Sequence, residues 1–208
     1  MTDAELLADY RARHIGILQS LAERLTSHLQ DMLKDIPRID RVSARAKSPD
    51  RFLAKANKLQ PDGGRKYEHP FDQIQDLVGA RVIVFYKQDV EVVSEEVDRY
   101  FRRIESRELI PDSVNEFGYV GKHFILAFPE DLFDDSADRG RTPQFFELQV
   151  KTLFQHAWSE AEHDLAYKPS DPLTPLQCRQ VAFTAAQAWG ADQIFAQLHD
   201  ELNGTSSH

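Results

Sequence analysis

The first quarter of the chain combines a long helical pattern with shorter segments. Apolar residues recur every three or four positions from about Ala4 to Lys34, which predicts one long amphipathic helix that Pro37 limits. A strand is predicted from Ile39 to Ala46. The Ser-Pro-Asp sequence beginning at Ser48 predicts the start of a second helix, because serine caps helices and proline suits their first position.

The rest of the chain alternates strand patterns with helical patterns. The segment LVGARVIVFY is apolar on both faces, which predicts a strand at the centre of a sheet. The segment DVEVVSEEVDRYFRRI predicts a helix, and NEFGYVGKHFILAFP predicts a strand that ends at Pro129. Apolar and polar residues alternate strictly from Phe145 to Thr152, as in a half-buried strand. Two more helices are predicted, from Leu153 to Tyr167 and from about Pro175 to Leu202.

Strands separated by helices predict an α/β (α+β) fold, with a mixed β-sheet of about five strands flanked by helices and with long N- and C-terminal helices. The 208 residues fit one domain, 1–208. Within it, residues 1–36 would form the N-terminal helix, residues 37–168 the core and residues 169–203 the C-terminal helix.

The composition is that of a globular protein, with 41% apolar and 28% charged residues. No apolar run approaches the roughly 20 residues of a membrane span, and the N-terminus lacks the apolar segment of a signal peptide. The single cysteine, Cys178, excludes an internal disulfide and suits a reducing compartment. We therefore expect a cytoplasmic protein with no membrane partner.

Charge is unevenly distributed along the chain. The net charge of −9 disfavours broad electrostatic binding of nucleic acid. Nine basic residues nevertheless lie between Arg38 and Lys66, with Lys34 just upstream, against three acidic ones. This stretch is either a solvated surface or a local anion site suited to a small polyphosphate.

Two further places, one before a predicted strand and one on a strand, carry candidate site residues. Asp76 lies just before the central strand, where a carboxylate either faces a cleft or forms a turn. Tyr119, Gly121 and His123 share one face of a strand. They either surround a space for a flat ligand or form a core tyrosine beside a structural glycine.

The strand from Phe145 to Thr152 presents Glu147, Gln149 and Lys151 on one face. A buried charge without a partner costs several kcal/mol, so these side chains are expected to bind a partner such as a ligand. Glu147 and Asp76 are the minimum carboxylate pair for holding Mg²⁺ with phosphates as the remaining ligands.

Signatures of several other enzyme classes are missing from the sequence. It contains no G-x-x-x-x-G-K-[ST], no G-x-G-x-x-G after a strand, no serine-nucleophile elbow and no H-E-x-x-H. His-Asp pairs begin at His163 and His199. They suggest a metal-dependent phosphohydrolase or, more simply, polar residues on helix surfaces.

Four segments in this order resemble the synthetase domain of RelA/SpoT-type alarmone synthetases: SARAKSPDRFLAK, DLVGARVIVFY, FGYVGKHFILAFP and FELQVKTLFQHAWSEAEHDLAYK. The similarity runs from roughly Arg38 to Lys168, and the last segment is the most specific. It implies a small, stand-alone synthetase with a nucleotidyltransferase-like fold. Such enzymes transfer the β,γ-pyrophosphate of ATP to the ribose 3′-hydroxyl of GDP or GTP, release AMP and signal the stringent response.

The resemblance implies a role for each candidate residue. Asp76 and Glu147 would hold Mg²⁺, and Glu147 would also help to remove the 3′-hydroxyl proton. The ATP-binding residues would be Arg45, Lys47, Arg51, Lys55 and Arg81. The acceptor-binding residues would be Tyr119, stacked on guanine, with His123, Gln149, Lys151, His156 and Glu162.

The acceptor side departs from the family pattern at four positions. Phe117 stands where familiar members have asparagine, and Gly121 stands where they often have serine. Lys151 replaces a common arginine, and His156 replaces the asparagine of many small synthetases. These differences concern the identity of the acceptor.

Three functions remain open at this point. The first is synthesis of (p)ppGpp by a homo-oligomer, a tetramer or a dimer. The second is the chemistry of toxic relatives that pyrophosphorylate the 3′ end of tRNA and are paired with an antitoxin. The third is a catalytically inactive module that binds nucleotides.

Overall fold

The structure is a computed structural model that describes residues 2–111, 113, 116–118, 120–133, 138–167 and 172–204. The strands are β1 (Ile39–Ala46), β2 (Val78–Val84), β3 (Arg103–Leu109), β4 (Gly121–Ala127) and β5 (Phe145–Thr152). The α-helices are α1 (Asp3–Arg13), α2 (Gln19–Leu33), α3 (Pro49–Ala56), α4 (Pro70–Gln73), α5 (Lys87–Tyr100), α6 (Leu153–Tyr167) and α7 (Pro175–Asn203). A π-helical segment, His14–Leu18, joins α1 to α2, and a 3₁₀ turn spans Glu130–Leu132.

The five strands form one mixed sheet in the order β1-β2-β5-β4-β3. Strands β2 and β5 are parallel, while the other three neighbouring pairs are antiparallel. The predicted mixed sheet flanked by helices is therefore confirmed. The middle strand is β5, and β2, which was predicted to be the central strand, lies next to it as an internal strand that is largely buried. Gly79 and Arg81 interrupt the apolar character of β2 on the face opposite the core.

One face of the sheet packs against helices and forms the core. Residues Ala80, Val82, Leu148, Val150 and Phe124 point to this face and are buried. Leucines of α2 and Phe52 of α3 pack against them, as do valines of α5. The opposite face carries the polar row, because side chains alternate along each strand.

The N-terminal helix is interrupted, which the helical spacing did not predict. The π-helical segment inserts an extra residue between α1 and α2. The buried stripe therefore passes from Tyr10 to Leu18 and leaves Ile15 exposed. Leu33 rather than Met32 completes the stripe in the core at the end of α2.

The prediction that the next helix continues through FRRI was wrong. Helix α5 ends at Tyr100, because Phe101 takes an extended conformation and packs its ring edge-on against Phe146 in the core. Strand β3 begins two residues later. Its side chains are mostly exposed, so it shows little apolar alternation, and backbone pairing with β4 defines it.

Helix α7 is joined to the end of β5 by a buried polar contact. Thr152 accepts a hydrogen bond from the backbone N–H of Gln155, in the first turn of α6, and donates its hydroxyl to Asp192 at 2.8 Å. The other Asp192 oxygen is buried and accepts no hydrogen bond. Burial raises the pKa of Asp192 to about 6, although the Thr152 bond and Lys87 act in the opposite direction.

Asp192→Asn is expected to stabilise the fold at neutral and alkaline pH. A carboxyl whose pKa is higher in the folded than in the unfolded chain destabilises the fold when ionised, and the penalty vanishes below its unfolded pKa. The gain should reach roughly 2–3 kcal/mol at pH 8 and fall to about half at pH 5. Urea unfolding at both pH values measures it, with exposed Asp31→Asn as the control. An equal gain at both pH values would contradict the explanation.

Among the described residues, no helix combines the length and apolar character that crossing a membrane requires.

Candidate active site

A cleft of about 350 Å³ opens on the polar face, at the N-terminal ends of the parallel strands β2 and β5. Strand β1 runs antiparallel to β2 and therefore brings its C-terminal end to the same place. The residues lining the cleft come from β1, the β1–α3 connection, α3, the segment before β2, β2, β5 and α6: Arg45, Ala46, Lys47, Ser48, Arg51, Asp76, Gly79, Ala80, Arg81, Glu147, Gln149 and His163.

The strand register explains why polar residues meet here. Arg45, Gly79 and Glu147 are direct neighbours across β1, β2 and β5. One step along, Arg81 is paired with Gln149. The small Gly79 lies between an arginine and a carboxylate, and no atom lies within 4 Å of the position a Cβ would take there. The cleft therefore has an open floor between a cationic wall and an acidic wall.

The cationic wall is formed by three arginines. Desolvation by the cleft, together with the like charges of Arg81 and Arg51, lowers the pKa of Arg45 below its ordinary value. Like charges brought together in a cleft attract an anion, since an anion relieves their repulsion. The basic stretch is thus, at Arg45 and Arg51, a concave site rather than only a solvated surface.

Asp76 lies between two lysines at the entrance to β2. Buried Ile74 and Leu77 fix the backbone on either side of it. Lys47 Nζ is 2.7 Å from Asp76 Oδ2, and Lys55 Nζ is 3.0 Å from Oδ1. The Lys55 contact is at ion-pair distance but lacks hydrogen-bond geometry, so buried Oδ1 accepts no hydrogen bond. Charge attraction to Lys55, rather than a hydrogen bond, therefore holds this oxygen.

Glu147 is held on both carboxylate oxygens. His123 Nδ1 lies 3.0 Å from Oε1, and Gln149 Nε2 donates to Oε2 at 3.0 Å. Burial by itself would raise the pKa of Glu147, but the hydrogen bond and charge of His123, with the Gln149 bond and Lys55, outweigh it and leave the pKa below its ordinary value. The carboxylate is therefore ionised at neutral pH.

Helix α6 covers the far end of the polar row. Arg81 forms an ion pair with Glu160 at 2.5 Å. Lys151 is buried and lies 3.3 Å from Ser159 Oγ, and burial, aided by the charge of Arg81, lowers the pKa of Lys151 to about 8. Burial also lowers the pKa of His156, whose Nδ1 forms no hydrogen bond.

The structure brings most of the predicted site residues together. Seven line the cleft: Arg45, Lys47, Arg51, Asp76, Arg81, Glu147 and Gln149. Lys55 and His123 reach it through their contacts with Asp76 and Glu147. Lys151 of β5 contacts Ser159 of α6, and His156 lies on α6 within electrostatic range of Lys151 and Arg81. Glu162 lies instead in a groove between α6 and α7, and Tyr119 is outside the described residues.

Two residues of the site were not predicted from the sequence. His163 lines the cleft, although its His-Asp pair was interpreted as helix surface. Glu160 holds Arg81. Both lie on α6, three residues apart, and therefore on one face of the helix. That spacing was visible in the sequence, but only the packing of α6 shows which face meets the sheet.

The cleft fits a divalent cation only with help from a ligand. Within the described ranges no group of three or more histidine, cysteine or acidic residues could hold a metal ion. Two carboxylates line the cleft, and one oxygen of Asp76 is free of hydrogen bonds. Mg²⁺ prefers oxygen ligands and is commonly bound by one or two carboxylates, with phosphates of the substrate as further ligands. The two carboxylates of the cleft suit such an ion.

Known proteins resemble this chain in sequence and in fold. The sequence profile described as "Region found in RelA / SpoT proteins" matches residues 44–171. The GTP pyrophosphokinase YjbM of Bacillus subtilis (strain 168) is 26% identical over 136 residues, which make up 64% of this chain and 62% of that relative. The aligned part thus spans less than two thirds of the relative's length.

Solved structures share the fold over nearly the whole chain. The small alarmone synthetase 1 from Bacillus subtilis superposes with a TM-score of 0.72 at 21% identity, covering 97% of each chain. Its crystal structure bound to its product pppGpp gives a TM-score of 0.68 at 22% identity, covering 96% of this chain and 97% of that one.

Proposed function

This chain belongs to the RelA/SpoT family, and we therefore propose that it is an alarmone synthetase, a GTP/GDP diphosphokinase. It would transfer the β,γ-pyrophosphate of ATP to the 3′-hydroxyl of GDP or GTP, release AMP and produce (p)ppGpp in the stringent response. The names of the relatives support this activity, since one is a GTP pyrophosphokinase and another binds pppGpp.

The observation that carries the proposal is the arrangement of one cleft. Arginines suited to a polyphosphate and two carboxylates line the same cleft, and Gly79 leaves the space between Arg45 and Glu147 open. Transfer of a phosphoryl-type group needs charge neutralisation and alignment more than covalent chemistry. The cations and carboxylates of the cleft can provide this neutralisation and alignment.

The residues divide between donor and acceptor. Arg45, Lys47, Arg51, Lys55 and Arg81 would bind ATP on the β1, α3 and β2 side. His123 and Gln149 would lie beside the acceptor, with Tyr119 stacked on guanine, and Lys151 and His156 would support the same side. An acceptor contact by Glu162 stays a prediction, because its side chain lies in the α6–α7 groove.

Glu147 would accept the proton of the 3′-hydroxyl as the 3′ oxygen forms its bond to the β-phosphorus of ATP. The bond between that phosphorus and the oxygen of the α-phosphate breaks, and AMP leaves. Asp76 and Glu147 would hold Mg²⁺ bound with ATP. When bound, Mg²⁺ neutralises charge on the transferring pyrophosphate. Lys47 and Lys55 neutralise Asp76 in the structure and would turn to the phosphates when that carboxylate binds the ion.

The test separates the three candidate functions. The protein is incubated with ATP labelled in its β- or γ-phosphate and, separately, with GDP, GTP or deacylated tRNA. We expect label in ppGpp and pppGpp. Label in tRNA would instead indicate the toxin-like activity, and nucleotide binding without transfer would indicate an inactive module. The net charge of −9 counts against tRNA as acceptor.

Arg45→Ala and Lys47→Ala are expected to raise the KM for ATP roughly tenfold while changing the KM for GDP or GTP much less. Each variant removes a cation from the donor side of the cleft. Initial rates with each substrate varied in turn measure the effect. Arg99→Ala, which removes an equal charge from the exposed face of α5, is the control. Equal changes for both substrates would assign the basic stretch a general structural role.

We also propose that the protein is a cytoplasmic homo-oligomer, a dimer or a tetramer. Helix α7 exposes large apolar side chains, among them Phe183, Trp189 and Ile194. Large apolar side chains exposed in this number on one helix are typical of surfaces that contact another subunit. Light scattering after size exclusion measures the assembly. The single-domain division, with a core over 37–168, stays a prediction.

A further inference from the structure

The carboxylate of Glu147 cannot turn freely. His123 Nδ1 contacts one oxygen and Gln149 Nε2 the other, each at 3.0 Å. Only 22% of the Glu147 side chain and 15% of the His123 side chain are exposed, so water competes weakly for these bonds. Two hydrogen bonds on opposite oxygens fix the plane of a carboxylate.

The sheet explains how both bonds form at once. His123 on β4 and Gln149 on β5 are direct partners in the antiparallel pair, so their side chains lie on the same face. Glu147 is two residues before Gln149 and therefore shares that face. The imidazole reaches diagonally from β4 to Glu147, while Gln149 reaches along its own strand.

The two bonds differ in what they constrain. Gln149 belongs to the same strand as Glu147 and fixes only the rotation of the side chain. His123 belongs to the neighbouring strand, whose buried Phe124 anchors it in the core. The imidazole thus ties the carboxylate to the β4–β5 pairing. The bond to His123 is also the strongest of the interactions that keep the pKa of Glu147 low.

We infer that His123 is a positioning residue for Glu147, acting through Nδ1–H, rather than a residue that recognises the acceptor nucleotide. This inference deepens the proposed function and rests on it. A base that removes a hydroxyl proton must present one oxygen at a fixed place, and displacement by 1 Å can reduce the rate by about 100-fold. His123 supplies that placement from a second strand.

Two amide substitutions distinguish the nitrogens of the ring. The side-chain nitrogen of asparagine lies near the position of Nδ1, whereas that of glutamine lies near Nε2. His123→Asn should therefore keep kcat within about threefold, and His123→Gln and His123→Ala should lower kcat about tenfold. The KM for GDP or GTP should stay within about twofold in all three variants. An increased acceptor KM with unchanged kcat, or His123→Asn as impaired as His123→Ala, would overturn the inference.

A measurement without turnover separates this inference from the proposed function. Nitrogen-15 NMR of the imidazoles reports which ring nitrogen carries the proton. We expect His123 protonated at Nδ1 in the unmodified protein, with that signal changed in Glu147→Gln. A neutral ring protonated only at Nε2 would refute the positioning role, because Nδ1 would then have no proton to donate. Absence of transfer by the unmodified protein would instead refute the proposed function.

Discussion

Asp76→Asn and Glu147→Gln are each expected to reduce pyrophosphate transfer at least about 100-fold while the fold persists. Both carboxylates line the cleft, and each substitution keeps the shape of the side chain while removing its charge. Loss of the Asp76 charge leaves Lys47 and Lys55 without their common anion and, under the proposed mechanism, would weaken Mg²⁺ binding. Loss of the Glu147 charge would remove the proposed base. Transfer of label from ATP to GDP measures both effects.

A matched control comes from the opposite face of the sheet. Glu91 on α5 is exposed and pairs with Lys122, so Glu91→Gln removes one negative charge far from the cleft. We expect its rate to match that of the unmodified protein, and thermal unfolding should show that all three variants are folded. Near-normal turnover by Asp76→Asn or Glu147→Gln would remove that residue from the site.

Tyr119→Ala is expected to raise the KM for the guanine acceptor about 10- to 100-fold and to alter ATP binding little. Stacking of an aromatic ring on a base contributes roughly 1–3 kcal/mol. This prediction rests on the resemblance of FGYVGKHF to the family pattern, because Tyr119 lies outside the described residues. Steady-state rates at varied GDP and fixed saturating ATP measure it.

Two controls bracket that result. Tyr119→Phe keeps the ring and should be mild, and Tyr100→Ala removes an exposed tyrosine from α5 and should have no effect. Competition between ligands also tests the proposed acceptor site. GDP should compete with tRNA for the protein, and the competition should be lost in Tyr119→Ala. Failure of guanine nucleotides to compete would favour the terminal adenosine of tRNA as the occupant.

The apolar pattern of the sequence determined most of the fold. Strict alternation predicted β5, and an apolar run predicted β2 as an internal strand, because burial of one or both faces leaves a regular pattern in the sequence. The same pattern failed for β3. An exposed edge strand is defined by backbone hydrogen bonds to β4, and those leave no trace in the side chains.

The sequence identified several residues of the candidate site but not how they come together. Asp76, Glu147 and the basic stretch could be chosen from residue type, position and resemblance, since each lies on or beside a predicted strand. Their convergence depends on pairing β1 with β2 and β2 with β5, across separations of tens of residues. A local pattern carries no information about such pairing.

The tertiary structure alone decided three features of this protein. The packing of α6 turned Glu160 towards Arg81 and placed His163 in the cleft, while Glu162 faced α7. The pairing of β4 with β5 made His123 and Glu147 diagonal neighbours and brought them into contact. The buried end of β5 joined Thr152 to Asp192, forty residues away, and so raised the pKa of a carboxyl that the sequence shows as one acid in a helix. Each depends on which side chains share a low-dielectric space, and that is fixed only when the elements pack.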